Sequence, residues 1–335
     1  MLPPSDHPTI PAPKVGVLLI NLGTPDAPEA PAVRRYLAEF LSDPRVIEIP
    51  KLVWKPILHG IILQVRPKKS AHAYSQVWTE EGSPLAAITR RQAEKLQARW
   101  GERVMVDWAM RYGNPGIRPA IDKLKAAGCE RILVAPLYPQ YCAATTATAN
   151  DSVFASLALQ RWQPALRTLP PYHDDPRYID ALQHSLEQQL ATLDFTPERL
   201  LLSFHGMPER TLMKGDPYHC HCRKTARLLG ERLAIPTDTA FQSRFGRDKW
   251  LEPSTEDVLA GYPAAGVTRL AIAAPGFSAD CIETIEELGI RGKETFIAAG
   301  GTHFARLDCL NDGEEGMAML DAILMRELAG WVTPA

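Results

Sequence analysis

The sequence predicts an α/β protein made of two similar Rossmann-like domains, each with a parallel sheet, and a ligand cleft between them. Two observations lead to this prediction. Short apolar runs alternate with amphipathic segments along the chain, which implies parallel sheets with helices on both faces. In addition, three stretches recur in the same order. "LLINLGTP" (18–25) returns as "LLSFHGMP" (201–208), "MRYG" (110–113) as "SRFG" (243–246), and "AAGCERILVAPLYPQYC" (126–142) as "AAGVTRLAIAAPGFSADC" (264–281). A repeat on this scale reads as a duplicated supersecondary unit.

Taken in order, "MLPPSDHPTIPAPK" (1–14) is expected to be a mobile, proline-rich tail; it lacks the charged and apolar regions of a signal peptide. The first domain is expected over 15–175 and the second over 176–335, divided where "PPYHDDP" (170–176) breaks the pattern. Strands are predicted at 14–23, 103–110, 131–139, 199–206, 268–277 and 295–301. Helical periodicity marks 87–100, 116–128 and 178–193. Counting from Gly23 to Arg111 and from Gly206 to Arg244, the first half carries about fifty extra residues, an insertion near 41–90. Within it "LVWKPILHGIILQVRPKK" (52–69) is apolar with a basic end. That mixture suits a lip over an apolar ligand or a dip into a membrane surface, the alternative being a core helix with a solvated end.

The 335 residues are enough for two domains, each burying its own core, and carry a formal net charge of -2. No half is strongly basic, which argues against a nucleic-acid partner. Apolar stretches reach about eight residues, short of the ~20 needed to span a bilayer. Without a signal peptide a reducing cytosol is expected, and the six cysteines contain no C-x-x-C pair. No dinucleotide fingerprint, P-loop, H-E-x-x-H or G-x-S-x-G is present, so no nucleotide cofactor is expected.

Two constellations remain. "LLSFHGMPER" (201–210) reads as a buried strand ending in His205, and strand carboxyl ends are where open α/β sheets place their ligands. "PGFSADCIETIEELGIRGKE" (275–294) reads as a strand end followed by a helix starting near Ser278 or Asp280. On that helix Asp280, Glu283 and Glu287 share a face, with Glu286 beside it, as a track for a divalent cation would require. Acids in a first helical turn also simply oppose the helix dipole. The repeat tips the balance: the first half has Asn21 where the second has His205, and "AATTATAND" where the second has carboxylates. Both departures fall at strand ends in one domain, as a site for metal and proton handling.

These residues, with "GSPL" (82–85), "MRYGNP", "APLYPQY", "GDPY" and "FQSRFG…W", resemble the ferrochelatase family over nearly the whole chain. The resemblance implies a chelatase-like fold and a lyase that inserts Fe²⁺, as substrate, into protoporphyrin IX to form protohaem with release of two protons. It makes His205 and Glu283 the catalytic pair and His205, Glu283, Glu287 and Asp280 the metal-handling residues. Leu22, Ser83, Tyr112, Trp250 and Phe277 fall where porphyrin-lining residues are expected. Cys281 stands where some relatives have a histidine.

Some members carry a 2Fe-2S cluster, which normally takes four cysteines. Cys220 and Cys222, adjacent on one loop in "GDPYHCHCRKTARLLGERL" (215–233), are candidate ligands with Cys142 and Cys309; free cytosolic thiols are the alternative. The expected setting is the cytoplasm, with peripheral contact on the inner face of the membrane through 52–69. Alternatives are a cobaltochelatase, a coproporphyrin ferrochelatase, or a carrier of tetrapyrrole or metal without turnover.

Overall fold

The computed structural model describes residues 13–246 and 248–332; the expected tail lies almost wholly outside them. Eight strands form two four-stranded parallel sheets. The first contains β1 (Lys14–Thr24), β2 (Met105–Gly113), β3 (Cys129–Pro136) and β4 (Ala165–Thr168) in the order β2-β1-β3-β4. The second contains β5 (Arg199–His205), β6 (Thr237–Gln242), β7 (Arg269–Ala273) and β8 (His303–Arg306) in the order β6-β5-β7-β8. The topologies are identical, as the repeated stretches require.

The echo of "NLG" and "FHG" has a physical cause. Gly23 lies beside Tyr112 of β2, and a side chain on it would collide with the Tyr112 carbonyl oxygen at 1.9 Å. Gly206 meets the same obstacle in the second sheet, where an added Cβ would sit 2.5 Å from the Gln242 carbonyl oxygen, which accepts the Gly206 N–H at 2.7 Å. In each half the chain leaves its first strand hard against the neighbouring strand, a close approach open to glycine.

The central strands were legible because both their faces are buried: Leu200, Leu201, Leu202 and Phe204 are fully covered. Leu200, Leu202 and Phe204 share one large apolar core with Val17, Leu19, Leu133 and Ala135 of the first sheet. The helices Pro84–Trp100, Pro176–Ala191, Tyr218–Gly230 and Glu314–Glu327 contribute to that core. The expectation of a separate core for each half is therefore corrected: outer clusters are separate, and the largest is common to both sheets.

Three local expectations are also revised. Residues 295–301 belong to the helix Lys293–Ala298 and its end, not to a strand, because Phe296 is buried against Phe304 while Ile297 is exposed. Gly300, at φ +110°, closes that helix, and the strand comes after it as β8. The segment with Cys220 and Cys222 is the helix Tyr218–Gly230, not a loop. Finally, the chain after β7 enters its helix at Glu283, so Asp280 lies ahead of it.

Candidate functional site

His205 ends β5 opposite Gln242 of β6 and is half-buried. Its Nδ1 lies 2.8 Å from the Gly206 carbonyl oxygen. A carbonyl only accepts, so Nδ1 is the donor in this contact. Asn21, at the matching place in the first sheet, is instead buried and donates to Thr89 Oγ1 at 3.2 Å. The two domains use one position for different ends.

Glu283 and Glu287 project from a π-helix, Glu283–Gly292, that runs directly into Lys293–Ala298. Such widened helices recur at functional sites. The first domain has its own π-helix at the matching place, Ala143–Ala147, without carboxylates. Widening sets residues five apart side by side: Arg291 Nε donates to both oxygens of Glu286, at 2.9 and 3.1 Å, turning Glu286 away from its neighbours.

The Glu287 carboxylate is half-buried, and desolvation raises its pKa above the ordinary value of 4.5. Hydrogen bonding from Ser243 and the nearby His205 and Arg291 oppose that rise, while Glu283 adds to it. His205, Glu283 and Glu287 are thus electrostatic neighbours. Glu287 and Ser243 also line a cavity of about 280 Å³ together with Arg244, Glu256, Arg291 and Glu294. Facing Glu283 from the first domain are the buried phenols of Tyr36 and Tyr74, whose pKa values are pushed well up by burial and, among other neighbours, by that carboxylate.

Asp280 does not share this arrangement. Its Oδ1 accepts from Thr284 Oγ1 at 2.7 Å and Arg306 Nη1 at 2.8 Å, and its Oδ2 from Asn311 Nδ2 at 2.7 Å and the Cys309 N–H at 3.2 Å. The helix face predicted for Asp280, Glu283 and Glu287 is corrected accordingly: the first carboxylate is saturated by a long-range network before the helix begins. Among the described residues no three His, Cys, Asp or Glu side chains form a ready-made metal cage.

The expected porphyrin-lining residues divide. Leu22 is half-buried beside the Tyr36–Tyr74 cluster, and Phe277 packs near Leu85, Met110 and Cys281. Ser83 is buried and accepts from Thr24 Oγ1 at 2.8 Å. Trp250 pairs with Pro208, just past His205, and its ring lies 4.9 Å from Phe245. Tyr112 is fully buried with its hydroxyl on Asp43 at 2.9 Å, so it offers no surface to a ligand and is corrected to a core residue.

The cysteines do not fit a 2Fe-2S cluster. Cys220 and Cys222 are two residues apart on one helix, which directs them to opposite sides: Cys220 is exposed and Cys222 fully buried. Cys142 neighbours Cys222 around Tyr218, whereas Cys309 lies by Asp280 with its Sγ 3.9 Å from the Ala274 carbonyl. Burial raises the pKa of Cys142, Cys222 and Cys309 alike, disfavouring the thiolates that ligation needs.

Sequence reading missed Tyr36, Tyr74, Gln242 and Ser243. Of these, Ser243 carried a signal as the first residue of the repeated "SRFG", and Gln242 immediately precedes it.

Comparison with known proteins bears on this site. Residues 14–328 match the family model for ferrochelatase. A protein named ferrochelatase from Rhizobium meliloti (strain 1021) is 53% identical over 335 residues, covering 98% of this chain and 99% of that one. Another of that name, from Methylibium petroleiphilum, is 54% identical over 328 residues, covering 96% and 90%. Among solved structures, SirB from Bacillus subtilis with Fe³⁺ superposes with a TM-score of 0.56 at 13% identity, covering 95% of this chain and 97% of that one. The sirohydrochlorin chelatase SirB from Bacillus subtilis subspecies spizizenii in complex with cobalt gives 0.55 at 12% identity, over 94% and 97%. At those identities the likeness is one of fold.

Proposed function

The chain belongs to the ferrochelatase family, and on that premise we propose that it inserts Fe²⁺ into protoporphyrin IX in haem synthesis, with His205 accepting pyrrole protons while Glu287 and Glu283 pass on the metal. The observation that carries the residue assignment is the electrostatic proximity of His205, Glu283 and Glu287 at the carboxyl end of β5.

The chemistry asks for little else. Metallation removes two N–H protons from the macrocycle while the aquo-cation loses its waters. With Nδ1 engaged by the Gly206 carbonyl, the His205 imidazole offers Nε2 as the proton acceptor. Carboxylates exchange with water on a hard or borderline cation, and two in sequence along one helix favour transfer over retention. The cavity lined by Glu287 and Ser243, which His205 does not line, supports a route for the ion that reaches Glu287 first. Asp280 is left out of this path and serves to anchor the loop before the π-helix.

The same reading places the enzyme in the cytoplasm, peripheral on the inner face of the membrane, with residues 52–69 in contact. Leu52, Val53, Ile61 and Val65 are 91, 56, 59 and 69% exposed, beside the exposed Lys51, Lys55, Lys68 and Lys69. Apolar side chains rimmed by lysines suit an anionic lipid surface. No helix among the described residues is long and apolar enough to cross a membrane. We retain 15–175 and 176–335 as the two domains, with the common core as their interface.

The test is anaerobic metallation of protoporphyrin followed by visible absorption. His205→Ala and Glu283→Gln are expected to lose turnover by about 10²-fold or more while still quenching porphyrin fluorescence on binding. Wild-type-like turnover in both would remove these residues from the mechanism. A wild-type protein that binds porphyrin and leaves it as free base would favour a carrier.

A further inference from the structure

We infer that Ser243 is a positioning residue for the iron-handling step: the left-handed turn at the end of β6 exists to clamp the Glu287 carboxylate toward His205 and Glu283. The inference rests on the iron-delivery role proposed above for Glu287.

The clamp is bidentate. The Ser243 N–H donates to Glu287 Oε1 at 2.7 Å and its hydroxyl to Oε2 at 2.6 Å, so both oxygens are held by one residue. Bonds to an ionised acceptor are the strong ones, and two from a single residue fix the plane of the carboxylate as well as its place. Ser243 adopts φ +66° to do this. Among the described residues only one other non-glycine, Asn311 at φ +51°, has a left-handed backbone. Asn311 binds Asp280 from both sides: its Nδ2 donates to Oδ2 at 2.7 Å, and its Oδ1 accepts from the Asp280 N–H at 2.8 Å. Both left-handed non-glycine residues are thus spent on carboxylates of one eight-residue segment, 280–287. Such conformations are strained for a non-glycine residue and persist where the surroundings demand them.

Gln242 supports the clamp from the preceding position. Its Nε2 donates to the Glu283 carbonyl at 3.1 Å while its Oε1 accepts from Ser203 Oγ at 2.8 Å. Consecutive residues of β6 and its turn therefore hold the π-helix at Glu283 and at Glu287. Because β6 pairs with β5 through His205 and Gln242, the carboxylates are referenced to the imidazole through a single strand pair.

A merely structural turn and a positioning clamp respond differently to substitution. Ser243→Gly keeps the N–H and relieves the backbone, so it raises Tm, but it removes the hydroxyl. Ser243→Thr keeps the hydroxyl and lowers Tm, because a β-branched residue resists φ > 0. The expected result is an inversion of stability and function. Ser243→Gly and Ser243→Ala raise KM for Fe²⁺ about tenfold, with KM for porphyrin unchanged. Ser243→Thr stays near wild type in both constants despite its lower Tm. Glu287→Gln, measured alongside, raises KM for Fe²⁺ at least as much. If Glu287→Gln raises that constant and Ser243→Gly does not, the inference falls alone. If Glu287→Gln leaves it unchanged, the iron-delivery reading falls and the inference with it.

Discussion

The Asp280 carboxylate and the Arg306 guanidinium form a buried ion pair, Nη1 to Oδ1 at 2.8 Å, joining the loop before the π-helix to the end of β8. Asp280 is 4% exposed, and its remaining lone pairs are taken by Asn311, Thr284 and the Cys309 N–H. Removing the Asp280 carboxylate leaves Thr284, Asn311 and the Cys309 N–H without their acceptor, while Arg306 keeps Asp308. Asp280→Ala is expected to cost about 3 kcal/mol of stability. Thermal or denaturant unfolding measures that loss, and KM for Fe²⁺ in the folded fraction should stay unchanged. A raised KM with unaltered stability would return Asp280 to the metal path.

Gly206 follows His205 with no room for a side chain, since a Cβ would meet the backbone oxygen of Gln242 at 2.5 Å. Backbone cannot swing aside as a flexible side chain does, so Gly206→Ala must part β5 from β6 where His205 and Gln242 pair. The expected cost is about 1–3 kcal/mol, with a larger loss of turnover than of porphyrin binding. Wild-type turnover in this variant would show that the His205–Gln242 spacing is not critical.

His173 and His221 stack with ring centroids 3.6 Å apart at 7°. Burial, and then the neighbouring His221, lower the pKa of His173 to about 4, with Asp174 opposing and Lys224 adding to the fall; burial lowers His221 as well. The unfolded chain takes up these protons near pH 6.5, before the folded one does. Stability is therefore whole above about pH 6.5 and is lost as the pH falls toward 4. His173→Phe keeps a ring for the stack and cannot be protonated, so a plot of Tm against pH should be flatter for it between those values. Parallel curves would assign the acid sensitivity to other groups.

Leu52 and Val65 lie on the exposed side of the insertion, while Leu58, Leu63 and Pro67 face its interior. A double variant, Leu52→Asp and Val65→Asp, should lose co-sedimentation with anionic vesicles and keep metallation activity in detergent solution. Wild-type protein that stays in the supernatant at low salt would remove the membrane contact altogether.

The amino-acid pattern alone marks β1, β2, β3, β5 and β7, the duplicated topology and the place of His205 at a strand end. A strand buried on both faces must be apolar throughout, and the glycine near the end of β1 and just past β5 is imposed by the strand beside it. The short edge strands β4 and β8 escaped because their sequences, "ALRT" and "HFAR", carry no buried run, and β6 escaped because its buried stretch, Ala240–Gln242, is only three residues long. Tertiary structure alone decided how the acids divide. Asp280 and Glu287 look alike in a helical pattern, yet one is consumed by Arg306 and Asn311 and the other is bound through both oxygens by Ser243. Those partners lie 26 to 44 residues away along the chain. Helical periodicity describes which side chains share a face, and only the folded neighbours determine which lone pairs remain free.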